Sequence, residues 1–209
     1  TAANTFMDVG GGTWWKDNPS GLDIRRSPDS KYIVAFQTTN PVEPRVSFIE
    51  STPSDQLQPK LQSYQYAKPG DPLPMKTLRI FSAEQGKEIP FNNELMENPW
   101  SVRFVRWTQD GKKFWVHYNQ RGHRTIRLIE VDVTTGDARS LIEETSDTFL
   151  HYSNAGKSVF ESLPNNEILW ASERSGWNHL YRIDGQSGKL LNAVTQGDWN
   201  VKRIEHLDL

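Results

Sequence analysis

Apolar and aromatic residues alternate with polar ones through eight short stretches of the chain. They are KYIVAFQTT (31–39), RVSFIES (45–51), KTLRIFS (76–82), SVRFVRW (101–107), KKFWVHYN (112–119), TIRLIEVDV (125–133), EILWASE (167–173) and HLYRID (179–184). Period-two alternation rich in Val, Ile, Phe, Tyr and Trp predicts strands with one or both faces covered. No run of a dozen residues carries apolar side chains at the i, i+3, i+4, i+7 spacing of an amphipathic helix. Between the strands lie two kinds of turn. SPDSK (27–31) and TQDGK (108–112) put Asp before a residue able to take a left-handed conformation. SAEQGK (82–87), VTTGD (133–137) and GQSGK (185–189) each close a strand on a glycine.

The second kind of turn recurs. Gly86, Gly136 and Gly188 are separated by 50 and 52 residues. NQRGHRTIRLIEVDVTTGD (119–137) and SERSGWNHLYRIDGQSGK (172–189) share one order of features: polar turn with Gly, aromatic or imidazole, strand, acid, glycine turn. A repeat of roughly 40–50 residues holding about four strands predicts the blade of a β-propeller, whereas a β-sandwich, the main competitor, carries no fixed period. The expected fold is all-β: residues 1–209 as part of a β-propeller with four-stranded antiparallel blades, about three to four blade lengths, incomplete at both ends. Residues 51–76 hold five of the 12 prolines and interrupt the pattern. Proline cannot donate to a sheet ladder, so this insertion within a blade reads as an extended connection or edge excursion.

Composition narrows the function classes. Net charge is -2, from 24 basic and 26 acidic residues spread along the chain. No basic face for nucleic acid or anionic lipid is expected. No apolar run approaches the roughly 20 residues needed to span a bilayer. The absence of cysteine removes disulfides, thiolate nucleophiles and cysteine zinc sites.

The candidate chemistry is sparse. His117, His123, His151, His179 and His206 form no HxH or HxxxH pair, so no metal site or cofactor is predicted. His123 and His179 follow turn glycines in comparable repeat positions, which points to a repeated structural role. Glu143 and Glu144 are the one Glu–Glu pair and are expected to end an outer strand in solvent. Trp14 and Trp15 follow a GGG run and suit either blade packing or a ligand pocket. Trp100, Trp107, Trp115, Trp170 and Trp177 are expected between blades, and Glu173 and Arg174 as a turn or surface pair. Ser172, Ser175, Ser187 and Asp184 lie beside His179, yet no GxSxG nucleophile elbow occurs. The nearest approach, GQSGK at 185–189, lacks the last glycine, so Ser187 reads as a turn residue. No catalytic residue is assigned.

Four segments in order, SPDSKYIVAF, PKLQSYQYAKPGDPLPMKTLRIF, ERSGWNHLYRID and VTQGDWNVKRIEHLD, resemble the N-terminal β-propeller of the dipeptidyl peptidase IV-like branch of the prolyl oligopeptidase family. Lys68, Pro69 and Gly70, and the element Thr195, Gly197, Trp199, Val201, are the most specific parts. The resemblance implies a serine exopeptidase that releases dipeptides from peptide N-termini. It also implies a propeller that gates access and helps to hold the substrate, and a Ser-Asp-His triad in a separate C-terminal α/β-hydrolase domain, which is absent from residues 1–209. The family's paired amine-binding glutamates should precede the SPDS turn, but residues 6–26 contain no Glu. The pair is therefore expected upstream of Thr1, or the amine is recognised otherwise.

The partners implied are a peptide substrate and the hydrolase domain, with no nucleic acid and no membrane span. The compartment implied is extracytoplasmic rather than cytoplasmic. Open blade faces further predict self-association of this stretch on its own. The alternative reading is a stand-alone propeller-like scaffold that binds a peptide or protein.

Overall fold

The computed structural model describes residues 23–42, 44–151 and 160–208. Three four-stranded antiparallel sheets follow one another along the chain. The first contains β1 (Ile24–Arg26), β2 (Tyr32–Thr39), β5 (Met75–Ser82) and β6 (Lys87–Ile89), in that order. The second contains β7 (Pro99–Trp107), β8 (Lys113–Gln120), β9 (Thr125–Asp132) and β10 (Ala138–Thr145). The third contains β11 (Phe160–Leu163), β12 (Glu167–Ser172), β13 (His179–Asp184) and β14 (Leu190–Ala193). Between β2 and β5 in sequence, β3 (Arg45–Glu50) and β4 (Lys60–Gln65) form a separate two-stranded hairpin. The fold is an unclosed part of a β-propeller. The only helical turns among the described residues are two single 3-10 turns, at Glu94–Met96 and Pro164–Asn166.

The chain divides into two compact units. One contains residues 36–77 and with them the hairpin; the other contains residues 23–35 and everything from Leu78 onward. The hairpin gives the proline-rich segment, expected as an extended connection or edge excursion, a strand of its own. Residues 60–65 lie between Pro59 and Pro69 and are free of proline, so all their amides remain available to pair with β3.

Both turn families repeat as geometry. In Ser27–Lys31 and Thr108–Lys112 the first hydroxyl donates to the Asp two residues on: Ser27 Oγ to Asp29 at 2.6 Å, Thr108 Oγ1 to Asp110 at 2.7 Å. Each Asp then accepts a backbone N–H, from Lys31 and Lys112, at 3.1 Å in both turns. Ser30 and Gly111 occupy the left-handed position with φ of 65° and 69°. These bonds stabilise the charged form and hold the carboxyls of Asp29 and Asp110 below their ordinary range, with the hydroxyl donor contributing most.

In the glycine turns, the N–H groups of Gly86, Gly136 and Gly188 donate to the carbonyls of Ser82, Asp132 and Asp184 at 3.0, 2.9 and 2.8 Å. The 50-residue period of the glycines is thus the period of the blades.

One apolar layer lies between the second and third sheets. Trp115, Leu128, Leu141 and Ile142 meet Ile168, Trp170 and Ile183, all buried. Phe160 sets its edge against Trp115 and Trp170 at centroid distances of 6.1 and 6.2 Å. The other face of the third sheet is covered by the chain after β14, where Val201, Ile204 and Leu207 pack with Leu169 and Leu180.

Candidate functional site

The antiparallel order of the strands gathers the β8–β9 turn, the β12–β13 turn and the segments leaving β10 and β14 at one end of the second and third sheets. That end is aromatic and cationic. Trp100, Phe149, Trp177 and Trp199 expose 49%, 49%, 40% and 49% of their surface there. Arg121 lies over the Trp100 ring at 5.4 Å, and Arg174 over Tyr181 at 4.8 Å. His123 sits in the β8–β9 turn with φ of 55°, edge-on to Trp100 at 5.1 Å and to Phe149 at 5.7 Å. Partial burial and the nearby Arg121 keep its pKa below the ordinary histidine value. Trp100 and Trp177 therefore do not pack between blades as expected. Trp115 and Trp170 do, while Trp107 packs beside Phe104 and Phe114 in its own sheet.

His179 holds this end together. It is 2% exposed; its Nδ1 shares a hydrogen bond with Thr195 Oγ1 at 2.9 Å and its Nε2 one with the Gly197 carbonyl at 2.8 Å. Trp199 closes edge-on over the ring at 5.0 Å. Next to it, buried Asn178 donates to the Val201 carbonyl at 2.6 Å. The HLY strand and the TQGDWNV element are two halves of one cluster. His123 and His179 are both structural, but the first belongs to a turn and the second to a strand.

The Glu–Glu pair separates into two roles. Glu143 pairs with Arg127 at the surface. Glu144 is not a solvent residue: its side chain is 12% exposed and accepts from Trp170 Nε1 at 3.3 Å, Ser172 Oγ at 2.9 Å and Arg174. Glu144 thereby ties the second sheet to the third, and Arg174 pairs with it.

Near the opposite turns a groove of about 490 Å³, lined by Trp115, Glu130, Arg139 and Gln186 among others, runs between the same two sheets. Burial alone would raise the Glu130 carboxyl. Donors on Lys113 at 3.0 Å, Trp115 at 3.2 Å and Arg139 at 2.9 Å overcome that and leave it below its ordinary value. These groups satisfy one another, so the groove is a structural seam.

The hydroxyls near the candidate histidine are engaged structurally: Thr195 Oγ1, which shares a hydrogen bond with His179 Nδ1 at 2.9 Å, also accepts from the Leu180 amide at 3.0 Å. Ser187 donates to Asp184 within its turn, through both its amide and its hydroxyl. Ser172 is buried against Glu144, and the Ser175 hydroxyl accepts from Tyr181 at 3.0 Å. His151 and His206 are exposed. No group of three His, Asp or Glu converges as a metal site among the described residues, and no helix there is long and apolar enough to cross a membrane. Trp14, Trp15 and all but the last four residues of the stretch 6–26, where paired glutamates were sought, lie outside the described residues.

What this end can do is bind. Exposed indole and phenyl faces beside guanidinium groups suit apolar side chains and carbonyl oxygens of a peptide chain. Nothing in the sequence pattern marked them, because an exposed Trp and a packed Trp read alike.

The protein is similar in fold to the dipeptidyl peptidase 4 of Porphyromonas gingivalis, with a TM-score of 0.64 at 15% identity, covering 95% of this chain and 28% of that one. In sequence it is 22% identical over 215 residues to "Probable dipeptidyl-aminopeptidase B" of Phaeosphaeria nodorum, covering 90% of this chain and 22% of that protein. The chain thus spans about a quarter of the length of these relatives. Residues 7–209 match the family model described as the dipeptidyl peptidase IV N-terminal region, and the chain belongs to that family.

Proposed function

We propose that this chain is the non-catalytic propeller portion of a dipeptidyl peptidase IV-like serine exopeptidase, and that it gates and positions peptide substrates. The match of residues 7–209 to the family's N-terminal region carries the reading. The absence of a GxSxG nucleophile elbow from residues 1–209 supports placing the chemistry in another domain of the protein, an α/β-hydrolase. The exposed aromatic end formed by Trp100, Phe149, Trp177 and Trp199 is the surface suited to guiding a peptide.

The test is a dipeptidyl assay on the intact protein with Pro- and Ala-containing substrates. Dipeptide release that a serine-directed inhibitor abolishes is the expected result. Trp177→Ala is expected to raise KM for peptides of ten or more residues while leaving kcat on a two-residue chromogenic substrate unchanged. Absence of dipeptide release overturns the peptidase reading and favours the scaffold. Equal KM in wild type and variant overturns the gating role.

A further inference from the structure

We infer that the face of the second sheet turned to the third carries a carboxylate-binding site built on Arg106 and His117. The β7–β8 register pairs Arg103 with His117 and, after a bulge between Phe104 and Arg106, pairs Arg106 with Trp115. The bulge inserts Val105 and brings Arg106 onto the same face as Arg103, Trp115 and His117. The Arg106 guanidinium stacks over the buried Trp115 ring at 4.2 Å. Its Nε is buried without a hydrogen-bond partner, and so is Nδ1 of His117. Two acids share this face and both are already committed: Glu130, opposite Trp115 across β8 and β9, to Lys113, Trp115 and Arg139, and Glu144, opposite Ile126 across β9 and β10, to Trp170, Ser172 and Arg174. Among the described residues no carboxylate forms an ion pair with Arg106.

A guanidinium whose Nε is shut off from water with no hydrogen-bond partner and no counter-charge is costly. Burial pushes the Arg106 pKa below its ordinary value, which is the expected sign of that cost. An anion arriving from outside reverses it. The planar fork of an arginine fits a carboxylate with two parallel hydrogen bonds. A buried, unpartnered Nδ1 is cheaper as a lone pair than as an N–H, which puts the His117 proton on Nε2 as a further donor. The ligand class is therefore a carboxylate: the C-terminus of a peptide chain or a small free carboxylate.

This inference does not rest on the peptidase reading, because its readout is binding and not turnover. The experiment is histidine-selective NMR on the intact protein, with the His117 resonance identified by His117→Gln. The probes are acetate, an N-acetylated hexapeptide with a free C-terminus, and the same peptide as its C-terminal amide. The free-acid peptide is expected to shift His117 saturably and the amide to leave it in place. Arg106→Gln is expected to weaken binding about tenfold or more, and Arg106→Lys, which keeps the cation but loses the fork, by less. A shift with acetate as well marks a site open to free carboxylates; a shift with the free-acid peptide alone marks a chain terminus, and both support the inference. If Arg106→Gln does not fold, Arg106→Lys carries the comparison. An unmoved His117 with every probe, equal shifts from acid and amide, or unchanged binding in the Arg106 variants overturns it.

Discussion

Single residues fix the blade-to-blade fit. A Cβ on Gly188, whose φ is 75°, would lie 1.9 Å from the Leu141 carbonyl oxygen of the neighbouring sheet. A Cβ on Gly136, at φ of 79°, would lie 2.0 Å from the Pro90 carbonyl oxygen. Both positions therefore require glycine twice over, for backbone conformation and for space. Gly188→Ala is expected to cost more than about 2 kcal/mol, while Gly176→Ala, with φ of 91° and open space around it, costs only about 1–2 kcal/mol. Denaturant midpoints of the two variants check the difference, and equal midpoints would contradict it.

His117 gives a pH dependence at the same scale. Burial, with Arg103 adding to it, lowers its pKa to about 4. The unfolded chain takes up this proton near the ordinary value of about 6.5 and the folded chain near 4, so the stabilisation is complete above that ordinary value. It is lost as pH falls from about 6.5 to 4, amounting to about 3 kcal/mol. Stability of His117→Phe followed across that range is expected to fall less steeply than wild type, and parallel curves would contradict the assignment.

At the scale of elements, the two neighbours Glu143 and Glu144 separate surface from seam. Glu144→Ala strips three donors on the third sheet of their acceptor and is expected to cost about 2–3 kcal/mol. Glu143→Ala breaks an exposed pair and is expected to cost under about 1 kcal/mol. Thermal unfolding of both variants measures the contrast. The hairpin β3–β4 is a second element with a consequence. Phe48, Ile49, Leu61 and Tyr64 on its two strands are exposed, so residues 1–209 on their own are expected to self-associate. Light scattering checks this, and a monomer at high concentration would contradict it.

The same elements show what a sequence can disclose. All eight aromatic or β-branched stretches are strands within two residues of their expected ends. β1, β6, β11 and β14 were not foreseen because three or four residues carry no period. β4, KLQSYQ, was masked by its polar side chains, and its pairing comes from β3 across a 9-residue loop. The seam at Glu144 was equally illegible, since its partners lie 26 to 30 residues further along the chain.

At the scale of the molecule, three sheets in series with one repeated turn geometry make a propeller segment in which Ser172, Ser175, Ser187 and His179 are engaged in structural hydrogen bonds. His179, the most active-looking side chain, is engaged at both ring nitrogens. The proposed reading puts the chemistry of the protein elsewhere, and gives the aromatic end of the blades the handling of the peptide. The direct test is to label the intact protein with a fluorophosphonate and locate the modified serine by mass spectrometry. The prediction is a single label on a serine outside residues 1–209, with dipeptide release abolished. A label on any serine within residues 1–209, or no label at all on the folded protein, would contradict the account.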